Sequence, residues 1–430
     1  MKNYTQNEKI LQVSESTLVI GVDIGSRTHY ARAFDYRGIE LSTKVFVFDN
    51  DIEGFNRFYE WTRDLKTRNE KDKVIVGCEP TGHYWFSFAR YATEHEIKIV
   101  MVNPFSVKKI KELDDNSPKK TDRKDPKTIA KLVVDGRYSI PYMPTGIYAE
   151  IRDLVYSRDR IMKQSNISAN RIQRWLAIHF PEYQGLYTRF DAASGLAVLE
   201  KAPLPKDIVA LGVEGIRKIW HEKKLRGRGV TVNRAETLVE AAHNSVGLDG
   251  EAATRSELYM LLEEHRLWAS QLETVNKVLE EIILKVPYVE KLLAIKGVGV
   301  VTVAGFIAEV GDIRRFKSPK QIQKYAGLEL VENSSGKHKG RSKISKRGRR
   351  KLRKILFQVT IPLLAGNKEF REIYDYYVTR VKNPLKRRQA MIAVSCKLIR
   401  VFYAVLTKGV DYDRFKMMSD IHRDSELIAA

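Results

Sequence analysis

Short apolar runs punctuated by turn residues fill the first hundred positions. "TLVIGVDIGS" reads as a buried strand closing on a turn. "THYARAFDYRG" and "LSTKVFVFDN" read as two further strands, with Arg37-Gly38 as a hairpin turn. Asp51 to Leu65 carries helical spacing in Ile52, Phe55, Phe58 and Trp61. "KVIVGCEP" predicts a fourth strand, "HYWFSFARYATEH" a helix and "IKIVMVNP" a fifth strand. Three consecutive strands followed by alternating helix and strand predict a mixed sheet with flanking helices.

A charged segment, "ELDDNSPKKTDRKDP", leads into a helix "KTIAKLVVDG", and "YSIPYMPTG" reads as a linker. From Tyr148 to His179 the pattern becomes long, helical and laced with charge, with Ile151, Leu154, Val155, Ile161 and Ile167 in the apolar role. A second such helix spans about Ala252 to Leu284, so the two predict an antiparallel pair or coiled coil around an insert. From Val286 a compact helical unit begins. The expected division is a polar extension at 1–17, an α/β catalytic domain at 18–147 and a helical spacer at 148–285 with its insert at 181–250. An all-α domain at 286–410 and a tail at 411–430 follow. No repeat at solenoid periods is visible.

Composition adds a partner. The 430 residues hold 75 Lys+Arg against 53 Asp+Glu, a net charge of +22, which favours a polyanion. Hydrophobic content of 43% is that of a folded chain. Two cysteines, Cys78 and Cys396, offer neither a zinc motif nor a disulfide framework. The start, "MKNYTQNEKILQVSES", lacks the apolar core of a signal peptide, and no run reads as long enough to span a bilayer. A cytoplasmic protein is expected.

Carboxylates supply candidate chemistry. Asp23 ends the first apolar strand and Glu79 the fourth, and strand ends of this kind project into one crevice. Asp122 and Asp125 follow at i,i+3. Four converging carboxylates would repel one another unless a divalent cation, Mg²⁺ or Mn²⁺, sat among them. Such sites handle phosphodiester chemistry. Each residue also has a structural reading. Asp23 fits the phosphate loop of a sugar-kinase-like ATPase, Glu79 a turn before proline, and Asp125 a helix N-cap with Pro126 at N1. Pro126 disfavours helical geometry across Asp122 to Asp125, which places the pair in a loop or loose first turn.

In the last third, Ile295-Lys-Gly-Val-Gly299 lies between apolar helical stretches in a helix-hairpin-helix pattern. Gly297 and Gly299 could let backbone N–H groups approach a phosphate there, or could simply make a turn. Lys337, Lys339, Arg341, Lys343, Lys346, Arg347, Arg349 and Arg350 form a basic run suited to a nucleic-acid backbone. "ENSSG" opens that run. Its serines are loop residues by default, and a nucleophile only if something activates them.

"GVDIGS", "CEPTGHYW", "VNPFSVKKI", "KTDRKDPKTIAKL", "IKGVGVVTVAGFIAEVGDIRRFKSPKQIQKYAGLEL", "SSGKHKG" and "ISKRGRRKLRKIL", in this order, resemble the DEDD insertion-sequence transposases. These are relatives of the Piv and MooV invertases and include bridge-RNA-guided recombinases. The resemblance spans roughly residues 18–137 and 286–410. It implies a RuvC-like, ribonuclease-H-type N-terminal domain whose metal-binding tetrad is Asp23, Glu79, Asp122 and Asp125. It implies a nucleophile at Ser335, with Ser334 the second choice, in a serine–glycine pair downstream of Ala326-Gly327-Leu328. It further implies DNA as substrate (element ends and target), a structured guide or bridge RNA, and a dimer or tetramer with a composite active site. Pro126 stands where the family usually has a small residue. The alternatives are a Holliday-junction-type nuclease using metal-activated water and a non-catalytic basic RNA-binding protein.

Overall fold

Six strands form one sheet in the order β3-β2-β1-β4-β5-β6. They are β1 (Thr17–Ile24), β2 (Thr28–Phe34), β3 (Phe46–Asp49), β4 (Lys73–Cys78), β5 (Lys98–Val102) and β6 (Tyr138–Ser139). The pairs β1–β2, β2–β3 and β5–β6 are antiparallel, whereas β1–β4 and β4–β5 are parallel. The expected linker therefore contributes a sixth strand, too short for its alternation to show in sequence. This computed structural model describes residues 5–114, 125–331, 334–335, 338–339 and 343–426. The chain divides into two units, residues 1–143 and 144–430.

In the first unit both faces of the sheet are covered, which is why β1 and β4 read as near-continuous apolar runs. Leu18, Ile20, Val22, Val76 and Cys78 join one core with Phe58 of α2 (Ile52–Arg68) and Phe88 of α3 (Trp85–Glu94). The intervening Val19 and Ile75 join the other core, with Val107 of α4 (Pro104–Asp114) and Ile129 and Val133 of α5 (Asp125–Val134). The turn at Arg37-Gly38 forms as expected, with Asp35 Oδ1 accepting from the Arg37 and Ile39 amides at 2.9 and 2.8 Å. The polar extension is part of this unit. Its helix α1 (Gln6–Ile10) donates from Gln6 Nε2 to Asp135 O and from Lys9 Nζ to Tyr138 O.

The second unit is built on α6 (Ile147–His179) and α11 (Ala252–Ile283), which match the two predicted long helices. They run antiparallel. Arg158 Nε donates to Asn276 Oδ1 at 2.8 Å, Ser168 meets His265, and Trp175 Nε1 donates to Thr254 O. At one end Ile172 and Leu176 share a core with the insert, itself helical through α7 (Tyr183–Leu186), α8 (Ala193–Leu199), α9 (Pro205–Glu222) and α10 (Val232–His243). At the other end Ile151, Val155, Leu279 and Ile283 join the core of the C-terminal elements. The long pair is thus no separate spacer, because its apolar ends complete two cores.

The C-terminal elements are α12 (Val289–Leu293), α13 (Val300–Val310), a 3₁₀ turn at Ile313–Arg315, α14 (Pro319–Tyr325), four two-residue strands and four helices. The strands are β7 (Leu330–Val331), β8 (Ser334–Ser335), β9 (His338–Lys339) and β10 (Lys343–Ile344). The helices are α15 (Arg350–Gly366), α16 (Lys368–Thr379), α17 (Arg387–Lys408) and α18 (Arg414–Glu426). By length and composition α17 is apolar enough to cross a membrane, contrary to the sequence reading. Its Ala390, Val394, Leu398 and Phe402, spaced four apart, are buried in the core.

His29 of β2 is fully buried among Phe48, Phe55 and Phe88, with ring centroids 5.1 to 6.2 Å away. Burial holds its pKa below 6.5, against smaller upward effects of Asn50 and Asp49. The unfolded chain therefore binds the proton first. Stability from the neutral imidazole is complete above 6.5 and is lost as pH falls through the lowered value. We expect the urea midpoint of the first unit to drop as the pH falls below 6.5, and His29→Phe to flatten that slope.

Candidate active site

Register brings two of the expected carboxylates to one level. In the parallel β1–β4 pair, Gly21 stands beside Gly77 and Val22 beside Cys78, the last paired step, and Asp23 and Glu79 are the next residue of each segment. Side chains alternate along a strand. Val22 and Cys78 enter the core of α2 and α3, so Asp23 and Glu79 belong to the opposite face, the one α5 covers. Glu79 lies one residue beyond β4, where the ladder no longer constrains it.

The third carboxylate arrives on α5. A Cβ on Gly21 would stand 1.8 Å from Pro126 O and 2.9 Å from Ala130 N, and one on Gly77 would stand 2.4 Å from Val133 Cγ2. The helix thus lies directly on the two strand backbones, two residues before each acidic residue. Its first residue is Asp125, with Pro126 in the first turn, where a missing N–H costs no helix bond. Asp23, Glu79 and Asp125 are all half-buried. Asp122 lies outside the described residues. Among the described residues no group of three or more His, Cys, Asp or Glu side chains stands close enough to hold a metal ion. The donor set, hard carboxylate oxygens on adjoining strand ends and a helix start, fits Mg²⁺ or Mn²⁺ in kind.

The serines sit on a β excursion in the second unit. At its base β7 pairs with β10 (Val331 with Lys343, Leu330 with Ile344). Farther out Ser334 pairs with Lys339 and Ser335 with His338. The base stands on two interlocked turns. Gly327, with φ of +70°, leaves no room for a Cβ, which would meet Arg353 Nη1 at 2.7 Å and the Lys346 carbonyl carbon at 3.0 Å. A Cβ on Gly348 would stand 2.4 Å from Tyr325 O. The amides of Ser345, Lys346 and Arg349 donate to Glu329 O, Gly327 O and Tyr325 O at 2.8, 3.0 and 2.8 Å. The Ala-Gly-Leu motif therefore serves as the seat of this excursion.

The basic run divides in two. Arg349 pairs with the buried Glu309 at 3.1 Å, Lys351 with Asp159 at 2.6 Å, and Arg353 donates to Ala326 O at 2.7 Å. Arg349 was expected on nucleic acid, but its guanidinium is committed inward. Among the described residues no ion pair holds Lys343, Lys346, Arg347 or Arg350, and all four are exposed. Lys337 and Arg341 lie outside the described residues, and Lys339 is on β9. The glycine hairpin is elsewhere. Gly297 packs against Leu363 near the end of α15, where a Cβ would meet Leu363 Cα at 2.9 Å. The basic run meets the start of that helix, about 20 Å away at 1.5 Å per residue. Gly297 serves packing, while Gly299 is exposed at the start of α13.

Sequence reasoning missed Glu309, the glycine seat and the glycine pair under α5. Signals existed. Glu309 is the lone charge in the apolar "VVTVAGFIAEV", and glycine stands two residues before each strand-end carboxylate, in Gly21-Val-Asp23 and Gly77-Cys-Glu79. The charge distribution was also legible. Residues 286–410 hold 28 Lys+Arg against 8 Asp+Glu, so +20 of the net +22 belongs to this stretch.

Comparison with known proteins agrees with both halves. The family described as "Transposase IS116/IS110/IS902 family" matches residues 289–375, and an IS110-type DEDD family described as "Transposase" matches residues 20–181. The chain is 22% identical to the "Insertion element IS116 uncharacterized 44.8 kDa protein" of Streptomyces clavuligerus over 390 residues, 90% of this chain and 94% of that protein. It is 24% identical to the "Insertion element IS110 uncharacterized 43.6 kDa protein" of Streptomyces coelicolor, over 68% of this chain and 72% of that one. The "Pilin gene-inverting protein" of Moraxella lacunata is 29% identical over 156 residues, 35% of this chain and 47% of that protein.

The seating of α5 is testable by stability. Gly21→Ala should lower the stability of the first unit by about 3 kcal/mol, the upper range for overpacking without room to relax. Gly38→Ala, where φ is +85° and no atom lies within 4 Å, should cost about 1 kcal/mol. Equal urea-denaturation shifts for the two variants would contradict the close approach.

Proposed function

Because the chain belongs to the IS110 family of DEDD transposases, we propose that it cuts and rejoins DNA through a covalent serine–DNA intermediate. The observation that supports this reading is the packing of α5, which begins at Asp125, on Gly21 of β1 and Gly77 of β4, two residues before Asp23 and Glu79. The strand order β3-β2-β1-β4-β5, with three antiparallel strands leading into a parallel pair, supports a RuvC-like, ribonuclease-H-type domain.

A divalent cation, Mg²⁺ or Mn²⁺, held by Asp23, Glu79, Asp122 and Asp125, would supply charge neutralisation at the scissile phosphate. The chain's own residues do the rest. Lys343, Lys346, Arg347 and Arg350 hold phosphates flanking the excursion, giving affinity without base readout. Ser335 Oγ bonds to phosphorus as a phosphorus–oxygen bond to deoxyribose breaks. The phosphoserine ester keeps the bond energy, so attack by a sugar hydroxyl reseals a strand and restores the serine. The tetrad and Ser335 act together in an oligomer, a dimer or tetramer. The positive charge of residues 286–410 suits a structured guide RNA as well as the DNA of element ends and target.

A denaturing gel of protein incubated with Mg²⁺, element-end DNA and the flanking transcript tests the reading. DNA should remain attached to protein, and the adduct should disappear in Ser335→Ala. Free cut ends that survive Ser335→Ala would instead favour a nuclease using water. An adduct retained in Ser335→Ala and lost in Ser334→Ala would move the nucleophile by one residue.

A further inference from the structure

We propose that Glu309 is a positioning residue, which through Arg349 holds the seat of the β excursion in register for catalysis. The inference rests on the serine reading above. Glu309 is 1% exposed and sits next to last in α13, an otherwise uncharged helix. Both burial and the negative end of the helix dipole disfavour a carboxylate at that place. A buried ion pair is seldom more stabilising than an apolar pair of the same shape. What it supplies here is direction.

Each carboxylate oxygen has its own partner. Tyr156 Oη donates to Glu309 Oε1 at 3.0 Å, and Arg349 Nε stands 3.1 Å from Oε2. The arginine contact lies off the N–H axis, so it is an ion pair rather than an aligned hydrogen bond. The long helix α6 braces this group along one stripe. Arg152 Nε donates to Ala308 O, Tyr156 reaches Glu309, and Asp159 pairs with Lys351, whose ammonium lies 3.5 Å from the centre of the Tyr156 ring. Tyr156 loses its proton less readily than usual, through burial first and the Glu309 charge second, so it remains a donor.

Arg349 carries this anchorage to the excursion. It is the residue before α15, its amide donates to Tyr325 O, and its guanidinium lies over the Tyr325 ring. Three residues earlier the Lys346 amide holds Gly327 O, and three residues before that Lys343 opens the pairing with Val331. One buried carboxylate thus fixes the end of the segment that carries Ser335.

The test is single-turnover adduct formation by Glu309→Gln, which keeps shape but removes the charge. The rate at saturating element-end DNA should fall about tenfold or more, as for modest misplacement of a reacting group. The half-saturating DNA concentration and the melting temperature should stay near wild type. Tyr156→Phe should give a smaller loss, and Glu309→Gln with Arg349→Gln no more than the larger single loss. A wild-type rate in Glu309→Gln, or additive losses in the double variant, would overturn the proposal. If Glu309→Gln melts early, Glu309→Asp decides: rescue of the rate supports positioning, and no rescue with restored melting overturns it. Should Ser335→Ala keep its adduct, the serine reading has failed. Hydrogen exchange at the Ser345, Lys346 and Arg349 amides then still reads this inference. A larger rise in exchange there than within α15 supports it, and unchanged exchange overturns it.

Discussion

Helix α5 can lie on β1 and β4 only where those strands lack side chains. Gly21 and Gly77 stand abreast in the parallel ladder, and the space a methyl group would need is filled by Pro126 O over one and the Val133 side chain over the other. At Gly21 the contact is backbone to backbone, which leaves little freedom for sliding. The start of α5 is set against the strand ends, and Asp125 arrives on the face to which alternation assigns Asp23 and Glu79. The placement of α5 on the sheet depends on two missing Cβ atoms.

The second unit uses a similar device for a different end. Gly327 and Gly348 let two turns interlock beneath the β excursion, and the buried Glu309 ties the second turn to α13 and α6. This commitment explains why a run so rich in arginine and lysine does not all face a polyanion. Arg349, Lys351 and Arg353 serve the fold, and Lys343, Lys346, Arg347 and Arg350 stay exposed. The side chains at 349, 351 and 353 reach three different neighbours, Glu309, Asp159 and Ala326 O.

Much of this was legible in the sequence. The apolar runs of β1, β4 and β5 were plain because parallel strands are buried on both faces. The long helices α6 and α11 were found nearly to the residue, since 30-residue amphipathic patterns leave little ambiguity. Strand β6 was not, because two residues carry no period. Asp23, Glu79 and Asp125 could be named as candidates from their place at element ends. The alignment of Gly21 with Gly77 beneath α5 could not, because it depends on the β1–β4 register. Ser335 could be singled out only by resemblance, as a serine in a polar loop has no signature of its own. The Glu309 partner of Arg349 was not legible, since a charge run does not say which members find a buried partner. The packing of Gly297 against Leu363 was not legible, because a glycine that packs and a glycine that approaches phosphate look alike.

The most direct test asks whether the carboxylates share one cation. Fe²⁺ replaces Mg²⁺ at hard oxygen sites and, with ascorbate and peroxide, cleaves the nearest peptide bonds, which mass spectrometry can locate. Three separate segments should be cut together, at Asp23, at Glu79 and around residues 122–125, and Mg²⁺ should suppress all three cuts. Cleavage at only one of them, or cuts that Mg²⁺ leaves unchanged, would contradict the account.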